Sequence, residues 1–379
     1  MRRKVAIVGY GETKFERRTE KSEDELLAEA TADALEDTQM DKNAVDAVFS
    51  TPPIWDVKSN SAVINDYLQL NPKMSSTVIL GGAAHGVVVE YATMAIALGL
   101  IETALIVGGG KFEVHIPPES LKTWAHPEFE IPYGPTMPAL YAMPAVRHMA
   151  VCGTTEEQLA SVVVAHREWA ERNPAAIFRQ PITVDEVLKS PMIAYPYRLL
   201  MCSYPVCGAG AFILTSAENA KNYTDIPVYV LGWGEYHSHA WVTSFRDMTE
   251  FGSLHSGREA YRMADVEPKQ VDLIMAPDPF PIAPIIHLED LGFCKKGEGG
   301  KLFEDGRCLP GGDIPFNTHG GLLACAHTGM GPLIHHLIEA TRQITGKVEK
   351  ERQLSEVDIA LIQMHGGMMN YHCTLIIGR

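Results

Sequence analysis

Apolar positions in the first hundred residues follow two periods. VAIVGY (5–10), VDAVFS (45–50), STVIL (76–80) and TALIVGG (103–109) are short runs, apolar almost throughout, and each predicts a strand. Between them, SEDELLAEATADALEDTQ (22–39) and SNSAVINDYLQL (59–70) place apolar residues three and four apart, which predicts helices. The first of these has Ser22 as N-cap and Glu25 three residues on. The segment from about 85 to 100 is apolar on nearly every face, the pattern of a buried helix. Apolar strands alternating with helices predict a parallel α/β sheet covered on both faces.

The pattern breaks at residue 111. As far as about 225 the chain carries Pro117, Pro118, Pro132, Pro135, Pro138 and Pro144, interleaved with Trp124, Phe129, Tyr133 and Tyr141. One helix stands out, at TEEQLASVVVAHREWAER (155–172). Such a stretch predicts an insertion or lid, either shaping a substrate pocket or making a dimer contact.

The first pattern then returns. TADALEDTQMDKNAVDAVFSTPPI (31–54) lines up with GREAYRMADVEPKQVDLIMAPDPF (257–280), both helix, polar linker, then Val-Asp opening an apolar strand, 226 positions apart. A weaker echo sets SEVDIALIQMHGG (355–367) beside GLIETALIVGGG (99–110). Two similar halves imply a pseudo-twofold molecule with its site between them. The division expected is 1–225 for the first half, including the insertion at about 111–225, and 226–379 for the second.

Composition narrows the function classes. Of 379 residues, 46% are hydrophobic and 21% charged, enough for a large core in an ordinary globular protein. No run of about 18 apolar residues predicts a membrane span. The opening MRRKVAIVGYGE ends its apolar run in charged residues, so it reads as a first strand rather than a signal peptide. A net charge of −15 argues against nucleic acid as partner. Seven scattered cysteines fit a reducing compartment, and the cytoplasm is expected. Cys202 and Cys207 form no CxxC pair, so no metal site is expected.

The chemistry centres on GGAAHG (81–86). A strand, a small-residue turn and a helix start make a site for negative charge, because the first helical N–H groups have no intrahelical partner. The turn holds neither Cys nor Ser. Chemistry-bearing residues gather elsewhere, in APDPF (276–280), FNTHGGLLACAH (316–327) and QMHGG (363–367).

Four segments in order resemble the thiolase superfamily, and its sterol-carrier-type branch most closely. VAIVGYGETKF (5–15) resembles the opening strand and loop, and GGAAHGVVVEYATMAIALGLIETALIVGGGKFE (81–113) the nucleophile helix. LEDLGFCKKGEGG (288–300) followed by LPGGDIPFNTHGGLLACAH (309–327) resembles the NxxGG and GHP region. HGGMMNYHCTLIIG (365–378) resembles the terminal glycine-rich strand pair. The resemblance implies an α/β thiolase fold of two halves in five αβαβα layers, with the insertion added. It also implies a homodimer core, an acyl-CoA substrate with coenzyme A as part of it and no tightly bound cofactor. For several such proteins it implies a small OB-fold, zinc-binding partner subunit.

In such a thiolase a Cys at the helix start attacks the acyl-CoA carbonyl, a His activates it, and a second Cys moves the α-carbon proton. Here the first Cys falls on Ala83, or on Ala84 if the alignment slips by one, beside His85, read as a substrate contact or as a surface or capping residue. The GHP histidine falls on His327, with Ala326 and Thr328 replacing its neighbours. His319 replaces a small residue near Asn317, whose amide suits orienting either a carbonyl or a supporting histidine. Anchored on Gly366 and Gly367, the second Cys lands on Gln363, with His365 two residues later. Asp278 and Phe280 match the branch's His-Asp-Cys-Phe, while Pro277 and Pro279 replace the other two. Asp278 is either an active-site group or a helix cap. Cys325 or Cys207 as a displaced nucleophile stays open, and nothing local selects among Tyr204, Tyr236 and Tyr371 as acids.

The catalytic candidates are therefore His327, His365, His319, Asn317 and Asp278, with Ala83, Ala84, His85, Gly366 and Gly367 binding substrate. Three functions are compatible: C–C bond making or breaking β to a CoA thioester by acid–base groups, a thiolase or acyltransferase with a displaced Cys, or a non-catalytic acyl-CoA- or lipid-binding subunit.

Overall fold

Ser22 and Glu25 close the expected capping box: the Ser22 N–H donates to Glu25 Oε2 at 2.6 Å and the Glu25 N–H to Ser22 Oγ at 3.2 Å. The computed structural model describes residues 2–51, 61–112, 125–329 and 332–379. Residues 59 and 60 of the expected second helix, Pro117, Pro118 and Trp124 lie outside them. The first half runs β1 (Val5–Glu12), α1 (Glu23–Thr38), β2 (Ala47–Ser50), α2 (Ser61–Leu68), β3 (Met74–Thr77), α3 (Ala84–Ala97), β4 (Thr103–Gly110). Then come α4 (Met137–Cys152), α5 (Glu156–Glu171), α6 (Val184–Lys189), the small hairpin β5 (Met192–Ala194) and β6 (Tyr197–Arg198), and β7 (Gly208–Ser216). The second half holds β8 (Val228–His237), α7 (Ser253–Ala264), β9 (Leu273–Met275), α8 (Ile282–Asp290), α9 (Gly299–Glu304), α10 (Ile334–Thr345), β10 (Ile359–Gly366) and β11 (Tyr371–Gly378).

Among the described residues the long strands form one nine-stranded sheet in the order β3-β2-β4-β7-β1-β8-β11-β10-β9. Each half supplies the same order, and the two join through only two Cα pairs, Ala6↔Tyr229 and Ile7↔Val228. The sheet is mixed rather than parallel as the sequence suggested. β2 runs parallel to β3 and β4, and β9 to β10, but β7 is antiparallel to both β4 and β1, and β11 to β10 and β8. Continuous apolar runs reflect burial on both faces, which here comes from the layers and not from strand direction.

The insertion is also smaller than the sequence suggested. β7, GAGAFILTS, is a central strand; its Gly-Ala start is too short in side chain to show an apolar period. α4 carries Pro138 in its first turn, where no N–H is needed, and Pro144 inside, which masked the helix. STVIL ends its pairing at Thr77, and Ile79 is exposed as the chain turns away toward the helix start.

The repeat holds in detail. Gln39 and Asp265, 226 positions apart, end α1 and α7 in the left-handed region, at φ 52° and 55°. The Asp46 carboxylate accepts the Glu102 N–H at 2.8 Å at the start of β4. Its counterpart Asp272 accepts the N–H groups of Asp358 and Ile359, each at 2.9 Å, at the start of β10. The fifth strand of the second half shrinks to one parallel bridge, Ile274↔Phe316.

Five layers result. α1 and α2 cover one face of the first half-sheet, with Leu26, Ala30 and Ile64 against Leu105 and Ile213. α3 and α10 lie between the half-sheets, where Val87, Val88, Leu337 and Ile338 meet Ile106, Phe212, Met275 and Ile362. α7 and α8 cover the outer face of the second, α7 through Ala260 and Ala264, α8 through Ile282 and Ile286. A helix buried on both sides has no polar face, which explains the all-apolar pattern of α3. Each Val or Ile taken from water there contributes about 1.5–3 kcal/mol.

Candidate active site

α3 begins without a side-chain cap. Ala83, at φ −70° and ψ −20°, precedes it, and Ala84, whose N–H donates to Gly81 O at 3.1 Å, starts it. Both alanines are buried. The turn requires Gly81, at φ +58°.

His85 is buried and caps nothing. Its Nε2 lies 2.8 Å from Thr51 Oγ1, just past β2, and its Nδ1 has no hydrogen bond among the described residues. The ring fits only because β4 has glycine at 108, where a Cβ would sit 2.0 Å from Nε2. Burial, aided by His335, pushes the imidazole down to about 3, so it is neutral.

Residues nearly 300 positions away complete the turn. A Cβ on Gly366 would lie 1.8 Å from Leu80 O, one on Gly81 2.7 Å from Gly367 N, and one on Gly82 2.5 Å from His365 O. The glycine pair thus lets the β10–β11 hairpin meet the helix start backbone to backbone. The His365 side chain turns the other way, to Tyr141 Oη and His287 Nε2, each at 2.9 Å. Gln363 is occupied too: its Nε2 donates to Met364 O at 3.0 Å and its Oε1 accepts from Thr374 Oγ1.

Asp278, Asn317 and His319 form a second group. The Asp278 carboxylate accepts the N–H groups of Leu322 and Leu323, each at 2.9 Å, and Asn317 Nδ2 at 3.1 Å. His166 Nε2 stands 3.1 Å from it and His336 Nε2 at 3.7 Å. Burial would raise its pKa, but His166, His336 and the Leu322 N–H together hold it below the usual carboxylate range. Asn317, in the left-handed region at φ 47°, clamps Ala276 through both ends of its amide. Every side-chain polar atom of these two residues is committed, which makes them a brace for the π turn Gly321–Cys325 that leads to His327. His319 packs its ring on His336 at 4.7 Å, and its Nδ1 accepts the Gly321 N–H at 3.3 Å. Asp278→Ala would strand two buried backbone N–H groups, an amide and a histidine. It should cost about 3–5 kcal/mol, read as a lower midpoint in urea unfolding.

His327 differs from all of these in being only partly buried. Its Nδ1 lies 2.8 Å from Ser203 Oγ, its ring packs edge-on against Phe112 at 5.3 Å, and its Nε2 has no hydrogen bond among the described residues. Burial lowers its pKa to about 4, against an opposing pull from Asp278. The ring is neutral at physiological pH.

Cys325 is not activated. Cys325 and Cys207 are buried, and burial pushes the Cys325 thiol far up, so no thiolate forms there. No group of three or more metal-ligating side chains occurs among the described residues, and no described helix is long and apolar enough to cross a membrane. Thr51, Ser203, His166, His287 and Tyr141 were not singled out by the sequence as site residues; none sits in a motif of its own, and only contact gives it a partner.

Comparison with known proteins places this architecture. The family description Thiolase C-terminal domain-like matches residues 234–379. An acetyl-CoA acetyltransferase from Methanothermobacter thermautotrophicus is 37% identical over 96% of this chain and 97% of its own length. A 17-hydroxy-3-oxo-4-pregnene-20-carboxyl-CoA lyase from Mycobacterium tuberculosis is 32% identical over 90% of this chain and 92% of its own. Among solved structures, the Ltp2-ChsH2(DUF35) aldolase superposes with a TM-score of 0.89 at 27% identity, covering 99% of this chain and 97% of that one. The chain belongs to the thiolase superfamily, and is an enzyme of that superfamily.

Proposed function

We propose that this chain makes or breaks a carbon–carbon bond β to a CoA thioester by acid–base groups, with no acyl-enzyme. One observation carries the reading: the helix start that would hold the nucleophile has Ala83 and Ala84, while His327 stays neutral with its Nε2 unpaired among the described residues. In the cleaving direction a 3-hydroxyacyl-CoA loses its hydroxyl proton and the Cα–Cβ electron pair moves into the thioester as an enolate. A carbonyl forms on Cβ, and the α-carbon then takes a proton. The helix-start N–H groups and His327 Nε2–H, with Ser203 donating to Nδ1, supply hydrogen bonds to the enolate oxygen. Neutral imidazole suits this role, because a buried imidazolium would hand over its proton. That relatives include both an acyltransferase and a CoA lyase supports C–C chemistry on a CoA thioester. A homodimer with a small OB-fold, zinc-binding subunit is part of the same proposal, in line with the DUF35 partner in the aldolase complex.

Product analysis tests it. Incubation with 3-hydroxyacyl-CoA, alone and with a co-expressed partner subunit, should release a carbonyl compound and a shortened acyl-CoA, with 3-oxoacyl-CoA plus CoA inert. Ala83→Ser should retain activity within about threefold, whereas Ala83→Leu, overpacking a buried turn, should abolish it. Thiolysis of 3-oxoacyl-CoA with a trapped acyl-cysteine would establish a displaced nucleophile instead. Tight acyl-CoA binding with no turnover, unchanged in His327→Ala, would establish a binding subunit.

A further inference from the structure

Behind the Gly366–Gly367 hairpin lies a file of polar side chains that the chemistry above does not use. Tyr141 Oη is 2.9 Å from His365 Nε2, His365 Nδ1 2.9 Å from His287 Nε2, and His287 Nδ1 2.9 Å from Ser253 Oγ. Ser253 donates to Asp290 Oδ2 at 2.9 Å, and Lys296 Nζ to Asp290 Oδ1 at 2.8 Å. The first five are buried, while the Lys296 side chain is 38% exposed. α4, β10, α8 and α7 each contribute to the file, although apolar side chains would fill the same space without the cost of burying polar groups.

The hydrogen-bond directions follow from one fixed end. Because Ser253 gives its proton to the carboxylate, its oxygen accepts from His287 Nδ1–H. A neutral imidazole carries one N–H, so His287 Nε2 accepts from His365 Nδ1–H, and His365 Nε2 accepts from the Tyr141 hydroxyl. Burial holds both histidines well below their ordinary pKa, in keeping with neutral rings. Every donor therefore points from Tyr141 toward Asp290.

At the other end, the Tyr141 ring packs on Phe280 at 4.8 Å. Phe280 follows Pro279, whose carbonyl accepts the Ser203 N–H at 3.1 Å, and Ser203 holds His327. A path of contacts thus links Tyr141 to His327, and His365 O is the atom that meets the helix-start turn.

We propose that Tyr141, His365, His287, Ser253 and Asp290 form a proton relay that serves as the base of the C–C reaction. This rests on the functional reading above. The substrate hydroxyl proton passes to Tyr141 Oη as the Tyr141 proton moves to His365 Nε2, the His365 Nδ1 proton to His287 Nε2, the His287 Nδ1 proton to Ser253 Oγ and the Ser253 proton to Asp290. Both rings change tautomer without becoming charged. Return of one proton along the file to the enolate α-carbon restores both tautomers and closes the balance. Asp290 suits the role of receiver, since burial, opposed by Lys296, raises its pKa to about 6. Facing it are Lys296, His287 and its neighbour Glu289, which bonds His148 of α4, while His372 of β11 flanks both relay histidines.

With the full chain and a 3-hydroxyacyl-CoA it turns over, kcat/KM should fall on the acid side with a midpoint near that of Asp290, about 6. Lys296→Met, which removes the cation favouring the carboxylate, should move that midpoint upward by about 1 pH unit, and Lys296→Arg should restore it. Ser253→Ala, which cuts the file, should lower kcat about 10- to 100-fold and reduce the solvent deuterium effect. An unmoved midpoint in Lys296→Met, or a wild-type profile in Ser253→Ala, overturns the relay. Absence of any turnover in the wild type would count against the functional reading, so the relay is also read without catalysis. Histidine ¹⁵N resonances should show Nδ1–H tautomers at His287 and His365 that respond to pH near 6. Nε2–H tautomers or charged rings at pH 7 would overturn the relay whatever the activity.

Discussion

Replacing His327 with alanine is expected to lower kcat/KM for a 3-hydroxyacyl-CoA by about 10²- to 10⁴-fold while far-UV circular dichroism and Tm stay near wild type. Among the described residues the ring makes one hydrogen bond, to Ser203, and one edge contact, to Phe112, so its loss opens little of the core. The loss should fall mainly on kcat, because a donor to the enolate oxygen acts more strongly in the transition state than in the ground state. With a pKa of about 4 the ring is uncharged throughout pH 5–8. His327 itself should therefore add no inflection there. A variant within about threefold of wild type would remove His327 from the chemistry.

Acid should destabilise this protein between pH 6.5 and about 5, while leaving it folded in the absence of denaturant. His85 and His372 are held near 3 and His327 near 4, and His287, His319 and His365 well below their ordinary value, all chiefly by burial. In the unfolded chain each takes a proton at about 6.5. Between the two values the unfolded state binds more protons, so stability rises with pH and is lost as pH falls through 6.5. Three carboxylates oppose this: Glu90, raised to about 7, Asp290, raised to about 6, and Asp33, also raised by burial, bind protons more readily when folded. With His239 lowered as well, seven histidines against three carboxylates leave a net loss of stability as pH falls within the window. Glu12, held near 2 against its burial by Arg342 and His335, adds a further loss once pH drops below its unfolded value. Urea midpoints measured from pH 7.5 to 5 should fall monotonically. A flat profile would mean that these rings exchange protons with solvent in the folded state.

Much of the chemistry of this site was legible as absence. The alanines at 83 and 84, with Gln363 where a second thiol belongs, are visible in the sequence, and the structure adds that burial pushes the Cys325 thiol far up. Which histidine faces open space was not legible. His85, His319, His327 and His365 all sit in glycine-rich stretches of similar look, yet three are buried and His327 is partly exposed, with an Nε2 that has no hydrogen bond among the described residues. Side-chain direction decides this, and direction depends on the neighbouring element. His365 lies on the face of β10 toward α8, and His85 of α3 packs against the glycine at 108 of β4.

The sequence by itself determined the local and the repeated: the capping box at Ser22, the all-apolar helix α3, and the 226-residue offset that sets Asp46 and Asp272 in matching positions. These depend on neighbours three or four residues away, or on comparing the chain with itself. Only the tertiary structure decided that β7 and β11 run antiparallel to their neighbours, that Gly366 meets Leu80, and that Tyr141, His365, His287 and Ser253 line up toward Asp290. Strand direction and hydrogen-bond partners are settled by segments up to hundreds of residues apart, and such pairings leave no period in the chain.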